Sequence, residues 1–158
     1  MYEIIAIDPG VRGAFVYYES NRIARVEDMP LRPHGRKMIP DAGRIYELLI
    51  AKDAGTLIIL EDVHTSPRAG VASSGGFMRG VGIIEGVCGK HTPIFLTPQK
   101  WKAATGLIGA PKRASLAKAE TFFPECSKFL DNCTNQVDRA DAICMVRAAL
   151  VLRRLGKI

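Results

Sequence analysis

Two short, continuous runs of apolar residues constrain this chain more than any other feature. They occupy Ile4–Ile7 and residues 57–60. An uninterrupted apolar run of this length is typical of a strand that is buried on both faces, as in a parallel sheet covered by helices. Each run is followed at once by an acidic residue, Asp8 after the first and Glu61 after the second. The sequence therefore predicts a helix-covered sheet in which buried strands end in carboxylates.

The other segments predict an α/β domain with a mixed sheet. Strands at 14–18 and 23–26, joined by a turn at Asn21, extend the first strand into an antiparallel meander. Asp41 is placed to cap a helix that Gly55 ends. Residues 31–40, 66–76 and 124–135 are predicted to be irregular, because glycine, proline and small polar residues interrupt them. The remaining predicted elements are a strand at 94–96 and helices at 77–89, 99–105, 114–123 and 137–155.

Length and charge bound the function. The 158 residues predict a single domain spanning residues 1–158. Twenty-two Lys and Arg against sixteen Asp and Glu give a net charge of +6, which favours a polyanionic partner, nucleic acid or an anionic membrane surface. No apolar run reaches the roughly 18 residues of a membrane span. The first residues do not have the pattern of a secretory signal, so we expect the protein in the cytoplasm of a bacterial or phage-infected cell.

Cysteine usage fits that compartment. The four cysteines include no C-x-x-C pair and have no zinc-ligand spacing to a histidine. Cys88 and Cys144 lie in apolar stretches and are predicted to be core residues. A pair or metal site at Cys126 and Cys133 is the open alternative to four reduced thiols.

Two further acids start the last predicted helix. Asp138 and Asp141 are three residues apart and therefore share a helix face. In open α/β sheets, ligands gather outside the carboxyl ends of strands, so these acids can meet Asp8 and Glu61 there. Carboxylates brought together repel one another, and Mg²⁺ or Mn²⁺ is the fitting counter-ion, with two ions able to promote phosphodiester cleavage. The alternatives are structural: a helix-dipole role for the last two acids, a turn at Asp8 and a surface position for Glu61.

Three ordered motifs carry a family resemblance. A strand followed by IDPG, a strand followed by LED, and DRADA at the start of a late helix resemble the RuvC family of Holliday junction resolvases, within the ribonuclease-H-like superfamily. The segment TPQKWK, with Pro98, Trp101 and Lys102, resembles the family's Pro-x-x-Trp-Lys stretch. The glycine- and serine-rich segment after Glu61 departs from the common bacterial form and is more similar to compact phage-type relatives.

The resemblance implies a dimeric, metal-dependent endonuclease that cuts four-way DNA junctions by paired nicks. It implies that the metal-binding acids are Asp8, Glu61, Asp138 and Asp141. Among the basic residues, Lys102 is the best candidate for a catalytic lysine in the cleft that contacts the scissile phosphate. Some family members have histidine at the position of Asp138. Two other functions stay open at this stage: a ribonuclease-H-like nuclease acting on RNA or RNA–DNA hybrids, and a structure-specific DNA-binding protein without catalysis.

Basic residues group in four places along the chain, and such groups supply phosphate contacts in nucleic-acid-binding proteins. Three groups are expected beside the acids, and the fourth, at the end of the last helix, is expected to be solvated. Phe77 is a candidate for stacking on an unpaired base, although a core position is the favoured alternative, and Trp101 is expected to pack rather than bind. The four groups are Arg32, Arg36 and Lys37; Arg68 and Arg79; Lys100, Lys102, Lys112, Arg113 and Lys118; and Arg147, Arg153, Arg154 and Lys157.

Paired nicks require two active sites, and the chain has one acidic cluster. We therefore expect a two-fold homodimer. The glycine-rich helix at 77–89 and the loop at 68–76 are the candidate contact region, because glycines permit close approach of two helices. The equal alternative is that these glycines seat the helix on its own sheet.

Overall fold

The structure, a computed structural model, describes residues 3–63, 70–89 and 91–158. A five-stranded sheet has the order β3-β2-β1-β6-β7, and a separate hairpin joins β4 to β5. The strands are β1 (Ile4–Ile7), β2 (Ala14–Glu19), β3 (Arg22–Asp28), β4 (Leu31–His34), β5 (Lys37–Pro40), β6 (Leu57–Glu61) and β7 (Ile94–Leu96). The helices are α1 (Ala42–Ile50), α2 (Val71–Val87), α3 (Pro98–Thr105), α4 (Ala114–Phe122), α5 (Ser127–Leu130) and α6 (Gln136–Arg154).

The sheet is mixed, as the sequence predicts. β1 pairs antiparallel with β2 and parallel with β6, and β7 adds a second parallel pair. The turn between β2 and β3 places Ser20 and Asn21 at φ values of 51° and 63°, the left-handed conformation that asparagine tolerates. Strand alternation sends β1 side chains to opposite faces, so Ile4 and Ala6 join one core and Ile5 and Ile7 the other.

Each core has its own helices. α3, α4 and α6 cover the Ile4 side, where Trp101, Ile143 and Met145 are buried. α1 and α2 cover the Ile5 side, where Ile45 and Ile84 are buried. None of the helices in the described ranges is long and apolar enough to cross a membrane. The four cysteines are free thiols, and Cys88, Cys126 and Cys144 are buried, so the predicted core positions of Cys88 and Cys144 are confirmed.

Two segments differ from the sequence prediction. Residues 31–40 were expected to be a loop and instead form the β4–β5 hairpin, with Gly35 at φ 61° in its turn. Prolines are tolerated there because each strand of a two-stranded ribbon keeps a free edge. Helix α2 begins at Val71, within the segment expected to be irregular, since packing of the helix overrides the low propensity of its glycines and serines.

Smaller differences lie elsewhere. The segment at 124–135 was expected to be irregular and contains a 3₁₀ turn (Pro124–Cys126) and α5. Asp41 caps α1 as predicted, because its carboxylate accepts hydrogen bonds from the Gly43 and Arg44 amides. Residues 64–69, which include Arg68 and the first four residues of the predicted glycine- and serine-rich loop at 66–76, lie outside the described residues.

Candidate active site

Strand register brings the first two acids together. In the parallel pair, Ile7 of β1 lies opposite Leu60 of β6, so Asp8 and Glu61 occupy the next position on neighbouring strands. Side chains two residues apart on a strand lie on the same face, so Asp8 shares a face with Ala6, and Glu61 with Ile59. Ala6 and Ile59 belong to the core under α3 and α6. The two carboxylates therefore belong to the side of the sheet on which α6 begins with Asp138 and Asp141.

The loop after β1 depends on glycine. The Asp8 amide donates to the Ala14 carbonyl at 3.0 Å, which turns the chain back within six residues. A Cβ atom at Gly13 would lie 2.0 Å from the Asp8 carbonyl oxygen, so no other residue fits without moving the backbone. The Gly10 amide donates to Asp8 Oδ1 at 3.2 Å. This close turn holds the Asp8 carboxylate at the end of β1.

The start of α6 is anchored to the sheet by Arg139. Its Nε donates to Asp28 Oδ1 at 2.8 Å at the end of β3, and its Nη1 donates to the Phe129 carbonyl at 2.6 Å. The hydrogen bond and the charge of Arg139 lower the pKa of Asp28. This contact fixes the first turn of α6, and with it the two acids of that turn, against the carboxyl end of the sheet.

The four acids interact electrostatically. Burial, followed by the charges of Glu61, Asp138 and Asp141, raises the pKa of Asp8 to about 7 against the opposing Gly10 hydrogen bond. Burial also raises the pKa of Glu61 and of Asp141. Asp141 adds to the shift of Glu61, and Asp138 adds to that of Asp141. The structure thus brings the four sequence-predicted acids within electrostatic reach of one another.

Each carboxylate has its own partner in this structure. Trp101 Nε1 donates to Glu61 Oε1 at 2.8 Å, and contact with the Ser115 hydroxyl lowers the pKa of Asp141. Asp138 lies 3.5 Å from Arg12 Nε and 3.7 Å from Lys112 Nζ. Within residues 3–63, 70–89 and 91–158, no three His, Cys, Asp or Glu side chains are gathered to hold a metal ion.

The donor set nevertheless suits a hard cation. All four groups are carboxylates, and carboxylate oxygens are the ligands that Mg²⁺ and Mn²⁺ take in proteins. Burial and the charges of the neighbouring carboxylates raise the pKa of Asp8, so positive charge beside it would favour its ionised form. A divalent cation would supply that charge. The two cations now on Asp138 are largely exposed, at 67% for Arg12 and 75% for Lys112, and so can move aside.

Lys102 lies at the acidic site. Its charge lowers the pKa of Glu61 and of Asp141, and its Nζ is 5.3 Å from the centre of the Trp101 ring. Trp101 is buried, at 1% exposure, so the expectation that it packs is confirmed, but its indole also orients Glu61. A cavity of about 290 Å³ between α3 and the start of α4 is lined by Trp101, Lys102, Lys112 and Asp141.

The other predicted DNA contacts are spread around this site. Arg113 and Lys112 line a neighbouring cavity of about 280 Å³ together with Arg12 and Asp138. Lys100 is exposed on the first turn of α3. Lys118 Nζ lies 5.8 Å from the centre of the Phe122 ring.

Two predicted contacts are on α2. Arg79 lies against His34 of the β4–β5 hairpin, with 2.8 Å between Arg79 Nη1 and His34 Nε2. Phe77 is half-buried and lines a groove beside the same hairpin. Arg68 lies outside the described residues.

Arg12 is a site residue that sequence reasoning missed. Its guanidinium joins Asp138 at 3.5 Å, and its Nη2 donates to the Thr134 carbonyl at 3.0 Å. The signal was its place in the IDPGVRG segment, four residues after Asp8. Arg139 was also missed, and Trp101 was expected only to pack, because their partners Asp28 and Glu61 are distant in sequence.

The fold matches solved structures of a junction resolvase. Thermus thermophilus RuvC in complex with a Holliday junction substrate superposes with a TM-score of 0.72 at 13% identity, covering 99% of this chain and 98% of that one. This chain has the RuvC fold. A second Thermus thermophilus RuvC structure gives a TM-score of 0.56 at 14% identity, covering 98% and 97%. The RuvC-like, ribonuclease-H-like fold that the IDPG, LED and DRADA segments predicted is thereby confirmed. No protein-family model and no curated protein matches the sequence.

Proposed function

We propose that this chain is a metal-dependent endonuclease that resolves four-way DNA junctions by paired symmetric nicks in DNA recombination, repair or phage DNA processing. The observation that carries the proposal is the coupled set of four carboxylates at the carboxyl end of β1 and β6, in a chain that matches a junction-bound RuvC over nearly its whole length. The net charge of +6 supports a polyanionic substrate.

Asp8, Glu61, Asp138 and Asp141 are the residues that would hold Mg²⁺ or Mn²⁺. A pair of such ions, when bound, supplies an activated water and charge stabilisation at the leaving oxygen. Trp101 keeps one Glu61 oxygen in place and leaves the other free as a ligand. The Gly10 amide does the same for Asp8.

The basic residues around the acids would bind the DNA backbone. Lys102 lies beside Glu61 and Asp141, where a scissile phosphate has to approach the carboxylates. Lys112 and Arg12 now neutralise Asp138 and are free to transfer to phosphates when DNA arrives. Lys100 and Arg113 extend the positive surface around the site, because both are exposed. Most of the affinity would come from such phosphate contacts and would fall steeply with salt.

Two nicks per junction require two copies of this site, so the active species in the proposal is a homodimer. The α2 glycines differ in what surrounds them. Gly80 seats the helix on its own hairpin, with Pro40 Cγ 3.3 Å from a Cβ built there. Gly75, Gly82 and Gly86 are exposed, with open space around them, on a different face of α2.

The test is a cleavage assay with three matched substrates: a synthetic four-way junction, a duplex and an RNA–DNA hybrid. We expect symmetric nicks in the junction with Mg²⁺ or Mn²⁺, and binding without cleavage in Ca²⁺, whose looser coordination misplaces the attacking water. Preferred cleavage of the hybrid would favour a ribonuclease. Junction binding without cleavage in any metal would indicate that the chain is a structure-specific DNA-binding protein without catalytic activity.

Asp8→Asn is the decisive variant. It should abolish nicking and leave junction binding in a gel shift at least as tight as that of the wild type, because Asp8 serves the metal while cations hold the DNA. Asp53→Asn is the matched control, since Asp53 is exposed and precedes β6, at the end of that strand opposite Glu61. Full activity of Asp8→Asn would remove Asp8 from the site. Sedimentation with and without junction should show a dimer; a monomer that makes both nicks in one binding event contradicts the dimer proposal.

A further inference from the structure

A cavity of about 260 Å³ lies between the carboxyl-terminal halves of α1 and α2. Leu49, Cys88 and His91 are buried and form its floor, whereas Tyr46 and Ile50 are 51% and 46% exposed and form its rim. An apolar cavity of about 150 Å³ already holds benzene, so this one has room for a single substituted ring. The full lining is Tyr46, Leu49, Ile50, Val87, Cys88, Gly89 and His91.

The cavity lies at the end of the sheet opposite the four acids. α1 and α2 lead through short connections into the starts of β6 and β7, whereas Glu61 is the last residue of β6. From Leu57 to Glu61, β6 spans about 13 Å, at about 3.3 Å per residue. The cavity is therefore separate from the proposed active site and shares no lining residue with the cavities beside the acids.

His91 is the unusual member of this lining. It is buried, at 4% exposure, and its amide donates to the Cys88 carbonyl at 3.0 Å, which holds it at the end of α2. Neither ring nitrogen has a hydrogen-bond partner within the described residues, and both are closed to solvent. A neutral imidazole has one donor and one acceptor nitrogen, and leaving them unpaired in the interior destabilises the folded state. A ligand that pairs with the ring explains why histidine occupies this position.

The rest of the lining selects against charge. Leu49, Ile50 and Val87 are aliphatic, and no charged side chain of the described residues lines the cavity. Cys88 Sγ donates to the Ile84 carbonyl at 3.3 Å, and burial raises the pKa of the Cys88 thiol to about 11. The thiol therefore stays protonated at neutral pH and is unsuited to binding a metal ion. An ion of either sign would be desolvated here without a counter-charge, so the lining favours an uncharged ligand.

We propose that this cavity binds a small uncharged molecule consisting of one ring and a hydroxyl group, with the hydroxyl paired to His91. The aliphatic floor takes the ring, and Tyr46 offers it an exposed aromatic face at the rim. A hydroxyl both donates and accepts, so it pairs with either imidazole nitrogen. Because both nitrogens are closed to solvent, the His91 ring turns about its Cβ–Cγ bond when the ligand enters. This binding site is independent of the proposed nuclease activity.

The first test titrates the protein with phenol, benzene and benzoate and follows the histidine ring signals by NMR. The chain has only three histidines, His34, His64 and His91, so the signal that disappears in a His91 variant is readily assigned. Phenol should shift the His91 signal with a roughly millimolar Kd, because so small a molecule makes few contacts. Benzene should bind about tenfold more weakly, because it leaves the ring nitrogens unpaired, and benzoate should not bind. Equal affinity for phenol and benzene, or a His91 shift with benzoate, would contradict the proposal.

The second test removes the ring nitrogens. His91→Phe keeps a ring, and since the nitrogens have no partner to lose, the midpoint of urea unfolding of the ligand-free protein should rise. The preference for phenol over benzene should disappear in the same variant. His91→Leu, with a smaller side chain, guards against overpacking and should give the same two results. A lower midpoint in both variants would show that the nitrogens serve the fold and would overturn the proposal.

Two control variants locate the phenol site. His34→Phe makes the same substitution at an exposed histidine of the β4–β5 hairpin, so it should keep the preference for phenol and should not raise the midpoint. Asp8→Asn changes the acidic site and should bind phenol with the wild-type affinity. If Asp8→Asn or added Mn²⁺ abolished phenol binding, the phenol would lie at the acids, and the assignment to this cavity would be wrong.

Sedimentation separates a small-molecule site from a subunit contact. A side chain of a second copy could also enter the cavity, because its rim carries the exposed Tyr46 and Ile50. Sedimentation of the wild type should be the same with and without saturating phenol. A change of subunit state on adding phenol would show that the cavity is occupied by the second copy, and would reject the small-molecule site.

Discussion

Asp8→Asn should stabilise the metal-free protein at neutral and alkaline pH, although it destroys the proposed activity. Burial, followed by the charge of Glu61, raises the pKa of Asp8 from 3.8 to about 7. Ionised Asp8 is therefore unfavourable in the folded state when no cation is bound. Asparagine keeps an oxygen that accepts the Gly10 hydrogen bond and carries no charge.

The size of the effect follows from the shift. A rise of about three pKa units corresponds to about 4 kcal/mol, at about 1.4 kcal/mol per unit. Folded Asp8 keeps its proton between about pH 4 and about pH 7, whereas unfolded Asp8 has released it, so the folded state binds more protons there. The free energy of unfolding of the wild type should thus fall across this window and level off above it. Asp8→Asn lacks this decrease and should exceed the wild type by up to about 4 kcal/mol above pH 7.

Urea unfolding in EDTA at a series of pH values measures the difference directly. Asp53→Asn, an exposed substitution with the same change of charge, should follow the wild type throughout. Added Mg²⁺ should raise the stability of the wild type above pH 7 and have little effect on Asp8→Asn, because a ligand that binds only the folded state stabilises it. An Asp8→Asn curve that runs parallel to the wild type over the whole pH range would refute the electrostatic argument.

Three further outcomes are expected. Trp101→Phe should keep the packing but free Glu61 Oε1, and lower Mn²⁺ affinity in calorimetry by about tenfold; unchanged affinity would make the indole contact incidental. Arg12→Gln should raise Mn²⁺ affinity in the absence of DNA, measured by quenching of the single tryptophan, and should weaken junction binding. If the variant lost both Mn²⁺ binding and junction binding, Arg12 would be needed for folding instead. Gly13→Ala should unfold the loop after β1 and lower the midpoint of thermal unfolding, whereas Gly55→Ala, in open space, should not.

The central strands and the four acids could be predicted because each is specified by residues that are close together in the sequence. Continuous apolar runs define β1 and β6, and the acid follows each run directly. The spacing of Asp138 and Asp141 fixes a common helix face whatever surrounds it. The pairing of these strands into one sheet, with helices packed on it, then follows from general rules of topology.

Other parts of the fold and site depend on contacts between distant residues. The β4–β5 hairpin has the composition of a loop, and its strands are held by cross-strand pairing and by the contact of Pro40 with Gly80. Arg12 meets Asp138 across most of the chain, and Trp101 meets Glu61 forty residues away. No local pattern reports such partners, so the acids were predictable but the groups that orient and neutralise them were not.

Because Ile7 pairs with Leu60, the acidic site forms only if Asp8 and Glu61 fall on the same side of the alternating side chains of their strands. Successive side chains of a strand point to opposite faces, so one extra residue inside β6 before Glu61 would turn that carboxylate towards α1 and α2, away from Asp138 and Asp141. Extra residues in the connection at 51–56, between α1 and β6, would leave the parity of β6 untouched. Relatives of this chain should therefore vary freely in the length of that connection. The number of residues between the first apolar residue of β6 and its acid should stay constant.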